Sequence, residues 1–425
     1  MYHVRMYSIF YLLCHILVYL VKPGESLFNR LETEYDKIIN VFHPKYFMQL
    51  QNIKDNNNLP VPEMVQEYGY EAEIYKVITD DGYINTLHRL KSPKNSSTLG
   101  PILVQHGLFG TSADFVMGRP DKSIGYILAD IGYDVWLGNS RGNIYSRNHV
   151  NLTVNDDDYW KFSFDEMGKY DLPAAISLIK NVSHSDQIYY IGHSMGTVMF
   201  WIAMEDNPIL NNHIKLMIAM GPVAKVTHVV SPIRHLAPFS KDFKFLMDLL
   251  GINEISPSNA ILNWFDKWVC DLTMIQKEVC ENLLFLLSGY DFGQMNMTLL
   301  PIILGHEPGG TSTRTLIHFA QEINDDKFQK FDHGKAKNVI FYNSTVPPQY
   351  DVKKSVKVPV ALLWSDNDWL ADPSDVYWLK EQLSNVLIKF YEVPLKKFNH
   401  IDFLWGLDAD KLVYPVILDL LEKMK

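Results

Sequence analysis

Residues 187–204 read QIYYIGHSMGTVMFWIAM, and the architecture of the chain can be inferred outward from them. An apolar, strand-like run from Gln187 to Ile191 leads directly into Gly192-His193-Ser194-Met195-Gly196, and an apolar helical run from Thr197 to Met204 follows. The pattern G-x-S-x-G between a strand and a helix predicts a strained turn that exposes the serine hydroxyl above the end of a sheet. Side chains at the two glycines would keep the strand and the helix apart. Ser194 is therefore the candidate nucleophile.

Strand-like runs alternate with helical runs in two separate blocks, which predicts an α/β fold. The strand-like runs are residues 72–79, 83–90, 101–105, 133–137 and 187–191 in the first block, and 358–364 and 386–393 in the second. The helical runs are residues 124–130 and 172–180, then 375–383 and 414–424. Because strands far apart in sequence can be neighbours, we expect one mostly parallel central sheet with helices on both faces.

Between the blocks, the residues from 223 to 351, called the inserted segment below, have a different character. Phe239 to Leu250 and Leu283 to Leu287 are apolar helical runs without convincing neighbouring strands. They predict a mainly helical cap, part of which is a lid over a site for an apolar substrate. The alternative is that these helices serve only as core. The predicted organisation is a core in residues 25–222 and 352–425 with a cap in residues 223–351.

A serine hydroxyl is a poor nucleophile, so it needs a base, and the base needs an orienting carboxylate. In the chain order typical of this turn, the carboxylate and then the histidine follow the serine. Asp366, Asp368 and Asp372 lie after the first strand of the second block, and His400 lies after the next strand. Asp372 precedes a proline and is typical of a helix N-cap, so Asp366 and Asp368 remain as alternatives for the acid. His400 is the candidate base.

The oxyanion formed by serine attack on an acyl carbonyl needs two hydrogen-bond donors. One is the backbone N–H of Met195, directly after the candidate nucleophile. The other is expected from residues 106–110, called the 106–110 loop below, where the N–H of Leu108 is the best candidate. His106 is interpreted as structural, because loop glycines around a backbone donor explain the segment without it.

Composition argues against several classes of function. The 425 residues contain 39 Lys plus Arg and 49 Asp plus Glu, a net charge of −10. Such a chain has no overall positive field that would attract phosphate backbones, so a nucleic-acid partner is not expected. Neither an H-E-x-x-H motif nor a Cys/His cluster is present, and we expect neither a metal nor another cofactor.

The N-terminal residues are typical of a secretory signal peptide. Arg5 is followed by the mostly apolar Met6 to Val21, and then by Lys22. This apolar run of sixteen residues is shorter than the roughly 20 residues that a bilayer span needs. We therefore predict a cleaved signal in residues 1–24, with an uncleaved anchor as the alternative, and no integral membrane span after cleavage.

Other features fit an oxidising lumen. Cys14 would leave with the signal, and the remaining Cys270 and Cys280 predict a local disulfide, with two buried thiols as the alternative. Five N-x-S/T sequons are candidate N-glycosylation sites. They are Asn95, Asn151, Asn181, Asn296 and Asn343.

Six further stretches carry a specific resemblance. They are Gly69 to Glu73, His106 to Leu108, Trp136 to Asn143, Phe162 to Met167, Tyr170 to Pro173, and Asp368 to Asp372. The chain resembles the acid lipase family, the α/β-hydrolases that include gastric and lysosomal acid lipases. The resemblance covers nearly everything after the predicted signal peptide. It implies an α/β-hydrolase fold with a cap, metal-free hydrolysis of neutral-lipid esters at a lipid–water interface, and a secreted or lysosomal location.

The resemblance also implies roles for individual residues. The implied catalytic residues are Ser194 as nucleophile, Asp368 rather than Asp366 as acid, and His400 as base. Leu108 and Met195 are the implied oxyanion donors. The resemblance also implies a disulfide between Cys270 and Cys280. Family members often carry Gln where this chain has Met195, but a backbone donor is unaffected by that change. A further cysteine common in the cap is Ser288 here.

The sequence thus favours a serine esterase that cleaves triacylglycerols or sterol esters through an acyl-enzyme on Ser194. A lipid-binding or storage protein on the same fold is one alternative. It is less favoured because a carrier has no chemical need for a complete Ser, Asp and His set. An esterase for small non-lipid esters is the other alternative, since the cap rather than the fold shapes the acyl pocket.

Overall fold

The computed structural model describes residues 59–94, 99–240, 253–255, 287–291, 293–296 and 298–425. The predicted signal peptide, Asn95, Cys270 and Cys280 lie outside these residues. The strands are β1 Glu71–Ile78, β2 Tyr83–Lys91, β3 Pro101–Gln105, β4 Asp134–Leu137, β5 Asn148–His149, β6 Ile188–His193, β7 Ile214–Met220, β8 Glu254–Ile255, β9 Thr311–Ser312, β10 Val360–Trp364 and β11 Leu387–Glu392.

The main sheet has the strand order β1-β2-β4-β3-β6-β7-β10-β11, with β5 paired to β2. The pairs β1–β2, β2–β4 and β2–β5 are antiparallel, and every pair from β4 to β11 is parallel. The two sequence blocks join where β10 pairs with β7, in the register Val360↔Met217. The prediction of one mostly parallel sheet built from both blocks is confirmed.

Helices cover both faces of this sheet, and the described part of the inserted segment adds three more. They are α1 Val61–Gln66, α2 Ile124–Ile131, α3 Phe164–Glu166, α4 Leu172–Ser183, α5 Met195–Asp206, α6 Leu300–His306, α7 Thr313–Asp325, α8 Lys335–Tyr342, α9 Val352–Ser355, α10 Pro373–Gln382, α11 Asp402–Trp405, α12 Ala409–Leu412 and α13 Tyr414–Lys423. Short 3₁₀ turns span Ser112–Phe115, Asp157–Trp160, Pro208–Asn212 and Pro232–Phe239, and a π turn, Met167–Asp171, joins α3 to α4.

The burial of β3 shows why both faces need helices. Ile102 and Val104 belong to one buried apolar cluster, together with residues of α2 and α13. Leu103 belongs to the other cluster, together with residues of α4 and α5. Successive strand residues point to opposite faces, so a parallel strand that is apolar up to its last residue, Gln105, is stable where both faces are covered.

The inserted segment is mainly helical where it is described. It contains α6, α7, α8 and the 3₁₀ turn Pro232–Phe239. The two-residue strands β8 and β9 pair antiparallel within it. The predicted cap helices 239–250 and 283–287 lie almost wholly outside the described residues. Within the described part of the chain, no helix is long and apolar enough to cross a membrane.

Candidate active site

The predicted site residues all follow the carboxyl ends of parallel strands. Neighbouring strands β3, β6, β7, β10 and β11 end at one edge of the sheet. The 106–110 loop follows β3, Ser194 follows β6, and Asp368 and His400 lie in the loops after β10 and β11. This edge is where open α/β sheets bind ligands.

Ser194 lies between the last residue of β6 and the first residue of α5. Its backbone has φ 54° and ψ −122°, a strained conformation for a residue with a side chain. The turn is held from both sides: the Ser194 N–H donates to Met220 O at 3.1 Å, and the Thr197 N–H donates to Ser194 O at 2.8 Å. The predicted strand–turn–helix is confirmed.

The two glycines of the motif allow close packing. A Cβ placed on Gly196 would lie 2.5 Å from the carbonyl oxygen of Gln105 and 2.9 Å from that of His106. A Cβ on Gly192 would lie 3.0 Å from the Gly196 carbonyl. Any side chain at Gly196 would therefore push the end of β3 away from the turn.

His400 and Asp368 form a buried pair. His400 Nδ1 lies 2.8 Å from Asp368 Oδ2, and the two side chains are 4% and 1% exposed. The other carboxylate oxygen, Oδ1, accepts the N–H groups of Leu370 at 3.0 Å and Ala371 at 2.7 Å. The carboxylate is thus fixed in orientation, and it favours the tautomer with the proton on Nδ1.

The remaining ring nitrogen of His400 is available for proton transfer. His400 Nε2 is buried and has no hydrogen-bond partner among the described residues. With Nδ1 protonated, Nε2 carries the lone pair that a general base uses.

Contacts on two sides place the imidazole next to the serine turn. Gly221 faces the imidazole, since a Cβ on Gly221 would lie 3.1 Å from His400 Nδ1 and Cε1. Gly221 directly follows Met220, whose carbonyl oxygen accepts the Ser194 N–H. His193, the residue before Ser194, has its Nε2 3.0 Å from the His400 carbonyl oxygen. The rings of His193 and His400 are 4.8 Å apart between centroids. The structure thereby places the Asp368–His400 pair beside the turn that carries Ser194.

The other two aspartates lie elsewhere. Asp366 has a side chain that is 57% exposed and sits 3.9 Å from Lys396 Nζ. Asp372 accepts the Ser374 N–H at 2.7 Å as the N-cap of α10, whose first residue is Pro373. The predicted N-cap is confirmed, and of the two open alternatives only Asp368 contacts His400.

Loss of this cap has a measurable cost. Asp372→Ala should lower the free energy of unfolding by about 1 kcal/mol, because the Ser374 N–H loses its acceptor. Urea denaturation followed by circular dichroism measures the change. Asp366→Ala is the matched control, since this exposed side chain should contribute within about 0.5 kcal/mol. Equal effects of the two substitutions would contradict the capping role.

The 106–110 loop lies directly against the serine. A Cβ on Gly107 would lie 2.8 Å from Ser194 Cβ and 3.3 Å from Ser194 Oγ. Leu108 is the next residue, and a tight turn follows in which the Gly110 N–H donates to Gly107 O at 3.2 Å. Met195 is the buried first residue of α5, and N–H groups in a first helical turn have no acceptor within the helix. Both predicted donors therefore come from backbone next to Ser194.

His106 is held as a neutral side chain within this loop. Its Nδ1 donates to Gly107 O at 2.8 Å, and its Nε2 accepts the Ser140 N–H at 3.0 Å. Burial lowers the pKa of His106 to about 4. Both ring nitrogens are engaged, as expected for a structural residue.

Some residues that shape the site were not predicted. The carbonyl of Ser288 in the inserted segment accepts the N–H groups of Trp369 at 3.2 Å and His400 at 3.4 Å. The Asn399 side chain donates to Gly289 O at 2.8 Å. Residues 288–289 thus tie together the loops that carry the acid and the base. Apart from the serine at position 288, no sequence signal marks these backbone contacts.

Four predicted glycosylation sites fall within the described residues. Asn151, Asn181 and Asn343 are exposed, and Asn296 is half-buried with its Oδ1 accepting from Thr298. Their occupancy stays a prediction, as does the disulfide between Cys270 and Cys280.

The sheet order and the serine turn define an α/β-hydrolase. Two family models agree: "Partial alpha/beta-hydrolase lipase region" matches residues 61–119, and "alpha/beta hydrolase fold" matches residues 100–253. A putative lipase from Sulfolobus solfataricus has a similar structure, with a TM-score of 0.55 at 16% identity, over 84% of this chain and 95% of that one. A soluble variant of monoglyceride lipase from Saccharomyces cerevisiae gives 0.52 at 15%, over 86% and 100%. At these identities the likeness concerns the fold.

Relatives in sequence define the family. The chain is 42% identical to the human lysosomal acid lipase/cholesteryl ester hydrolase over 380 residues, which are 88% of this chain and 94% of that protein. It is 38% identical to the rat gastric triacylglycerol lipase over 369 residues, 86% and 92% of the two chains. This chain belongs to the acid lipase family and is a carboxylic ester hydrolase.

Proposed function

We propose that this chain hydrolyses the esters of neutral lipids, triacylglycerols or sterol esters, through an acyl-enzyme on Ser194. One observation carries the proposal: the buried Asp368–His400 pair lies beside the strained Ser194 turn with His400 Nε2 free of hydrogen-bond partners among the described residues. A serine, a base and an orienting carboxylate in this order are the parts that acyl transfer needs.

Acylation follows from this geometry. His400 Nε2 takes the proton of Ser194 as the oxygen attacks the ester carbonyl. The backbone N–H groups of Leu108 and Met195 stabilise the resulting oxyanion. Asp368 stabilises the imidazolium through Nδ1, and His400 then gives its proton to the departing alcohol.

Deacylation uses the same groups. Water enters, loses a proton to His400 Nε2 and attacks the acyl carbonyl, and the same N–H groups stabilise the second oxyanion. The proton returns to Ser194 as the fatty acid leaves. Apart from the ester and water, every group used in this proposed cycle belongs to the chain.

The choice of a lipid ester rests on the relatives and on the inserted segment. The two relatives named above are, by name, a cholesteryl ester hydrolase and a triacylglycerol lipase. A mainly helical cap over residues 223–351, with the core in residues 25–222 and 352–425, would give the site an apolar cover. A signal in residues 1–24 would deliver the enzyme to the lysosomal lumen or outside the cell.

A substrate comparison tests the lipid preference. We expect the rate on a long-chain triacylglycerol or cholesteryl ester to rise steeply once the ester exceeds its solubility limit and forms an interface. A soluble short-chain ester should give no such rise. Rates are measured by fatty-acid release at several pH values, with Ser194→Ala enzyme as the blank. Equal or better turnover of the short ester, without gain at an interface, would favour the small-ester esterase.

A further inference from the structure

A turn of the inserted segment packs against the 106–110 loop. The Gly309 N–H donates to Phe109 O at 2.6 Å, and the Ile144 N–H donates to Gly309 O at 2.8 Å. A Cβ on Gly309 would lie 2.2 Å from Thr111 Cγ2 and 2.9 Å from Phe109 O. Phe109 itself has φ 64°, so the loop adopts a strained backbone at this contact. Such strain persists only where neighbouring structure holds it.

Two carboxyl groups meet beside this contact. Asp114, in the 3₁₀ turn that follows the loop, is 4% exposed, and its Oδ2 would lie 2.4 Å from a Cβ on Gly110. Glu307 is two residues before Gly309, and its Oε1 is buried. The two side chains are close enough for each to shift the pKa of the other, and Asp114 Oδ1 and Glu307 Oε1 are both buried without a hydrogen-bond partner among the described residues. Since ionised carboxylates have no donor, a hydrogen bond between the two groups requires a shared proton.

The surroundings of the pair supply no compensating charge. Burial lowers the pKa values of the nearby His88, His106 and His306 to about 4, so these rings are neutral above that pH. Tyr145 also faces the pair, and burial raises its pKa to about 12. Among the described residues, neither carboxyl forms an ion pair with a Lys or Arg, and the charge of Glu63 also raises the pKa of Tyr145.

We propose that Asp114 and Glu307 are positioning residues whose shared proton clamps the 106–110 loop to the inserted segment, and that loss of this proton releases the loop. The inference rests on the proposed function, which assigns an oxyanion donor to Leu108. When both groups ionise, two buried charges repel and the contact between Gly309 and Phe109 weakens.

The direction of the pH effect follows from the pKa values. Burial raises the pKa of Asp114 to about 7, and burial with the charge of Asp114 raises that of Glu307 well above its usual value. A carboxyl whose pKa is raised on folding stabilises the fold fully below its unfolded pKa and loses that contribution as the pH rises through the folded pKa. At acid pH both carboxyls carry a proton, and when Asp114 ionises at about pH 7 one proton remains to be shared. The clamp opens as the pH rises further, through the pKa of Glu307, which the charge of Asp114 raises.

Amide substitutions separate this clamp from a merely structural role. Glu307→Gln and Asp114→Asn each supply a permanent N–H donor to the remaining carboxylate, so the bond survives at high pH. On a soluble short-chain ester, we expect wild-type kcat to fall about tenfold as the pH rises above 7 through the folded pKa of Glu307. In either variant the fall should be less than about twofold, with KM little changed. Asp165→Asn is the matched control: it removes another buried carboxyl, whose pKa burial raises to about 6, at a contact with Tyr350 and Phe331.

Hydrogen exchange provides a readout independent of activity. In the wild type, exchange of a peptide spanning residues 106–116, corrected for the intrinsic rate, should speed up above the folded pKa of the pair. In Glu307→Gln or Asp114→Asn, exchange of this peptide should not speed up over the same pH range. Where both variants fold, both should show this result. An alkaline fall in kcat and an exchange profile that neither substitution moves would overturn the clamp. A wild type without activity on any ester rejects the proposed function instead, and the exchange data still decide on the clamp.

Discussion

Ser194→Ala is expected to lower kcat for ester hydrolysis by about 10⁶-fold, to a level set by the oxyanion donors and binding alone. The hydroxyl oxygen of Ser194 is the atom that becomes acylated, and alanine at the turn between β6 and α5 offers no atom that could replace it. Hydrolysis of a chromogenic short-chain ester, measured with enough enzyme to detect the residual rate, quantifies the loss.

The control for this variant is the same substitution at a serine that lies away from the candidate active site. Ser177→Ala replaces an exposed serine of α4 and should leave kcat unchanged. Both variants should unfold at the wild-type temperature, because alanine at residue 194 preserves every backbone bond of the turn. A Ser194→Ala enzyme that keeps more than about one thousandth of wild-type kcat would contradict the nucleophile assignment.

Asp368→Asn should reduce kcat by about 10⁴-fold while the fold is kept. An asparagine amide in this place would donate to His400 Nδ1, which forces the ring proton onto Nε2, the nitrogen that must accept the proton of Ser194. The Leu370 and Ala371 N–H groups can still bond to the amide oxygen, so the loop should keep its conformation.

Asp366→Asn is the matched comparison for this prediction. Asp366 lies two residues away and is exposed beside Lys396, and its substitution should change kcat by less than about twofold. The pair of variants decides an ambiguity that sequence spacing leaves open. A larger loss in Asp366→Asn than in Asp368→Asn would show that Asp366, and not Asp368, is the acid.

Much of the fold was predictable because its strands are short apolar runs bounded by turn residues. The predicted run 101–105 coincides with β3, and the other predicted strands lie within two residues of those observed. Strand β7, Ile214–Met220, was missed: after Lys215 its sequence IKLMIAM is a continuous apolar run, which periodicity cannot separate from a helix. It nevertheless ends at Met220, whose carbonyl accepts the Ser194 N–H, and Gly221, the next residue, lies against His400.

The limits at the site have a different physical cause. The serine turn and the N-cap at Asp372 are local patterns, and local sequence suffices to predict them. The choice between Asp366 and Asp368 depends on which carboxylate reaches His400, a contact across 32 residues. The Asp114–Glu307 pair and the Ser288 carbonyl contacts join segments still further apart, so only the folded chain brings them together.

The measurement that tests the central claim most directly is the location of the covalent intermediate. A serine-directed alkyl phosphonate is incubated with wild type, Ser194→Ala and Ser177→Ala, and the modified residue is mapped by peptide mass spectrometry. The account predicts one adduct, on Ser194, with loss of activity in proportion to labelling in wild type and Ser177→Ala, and no adduct in Ser194→Ala. Stoichiometric inactivating modification of any other residue, or ester turnover in a fully labelled enzyme, would contradict it.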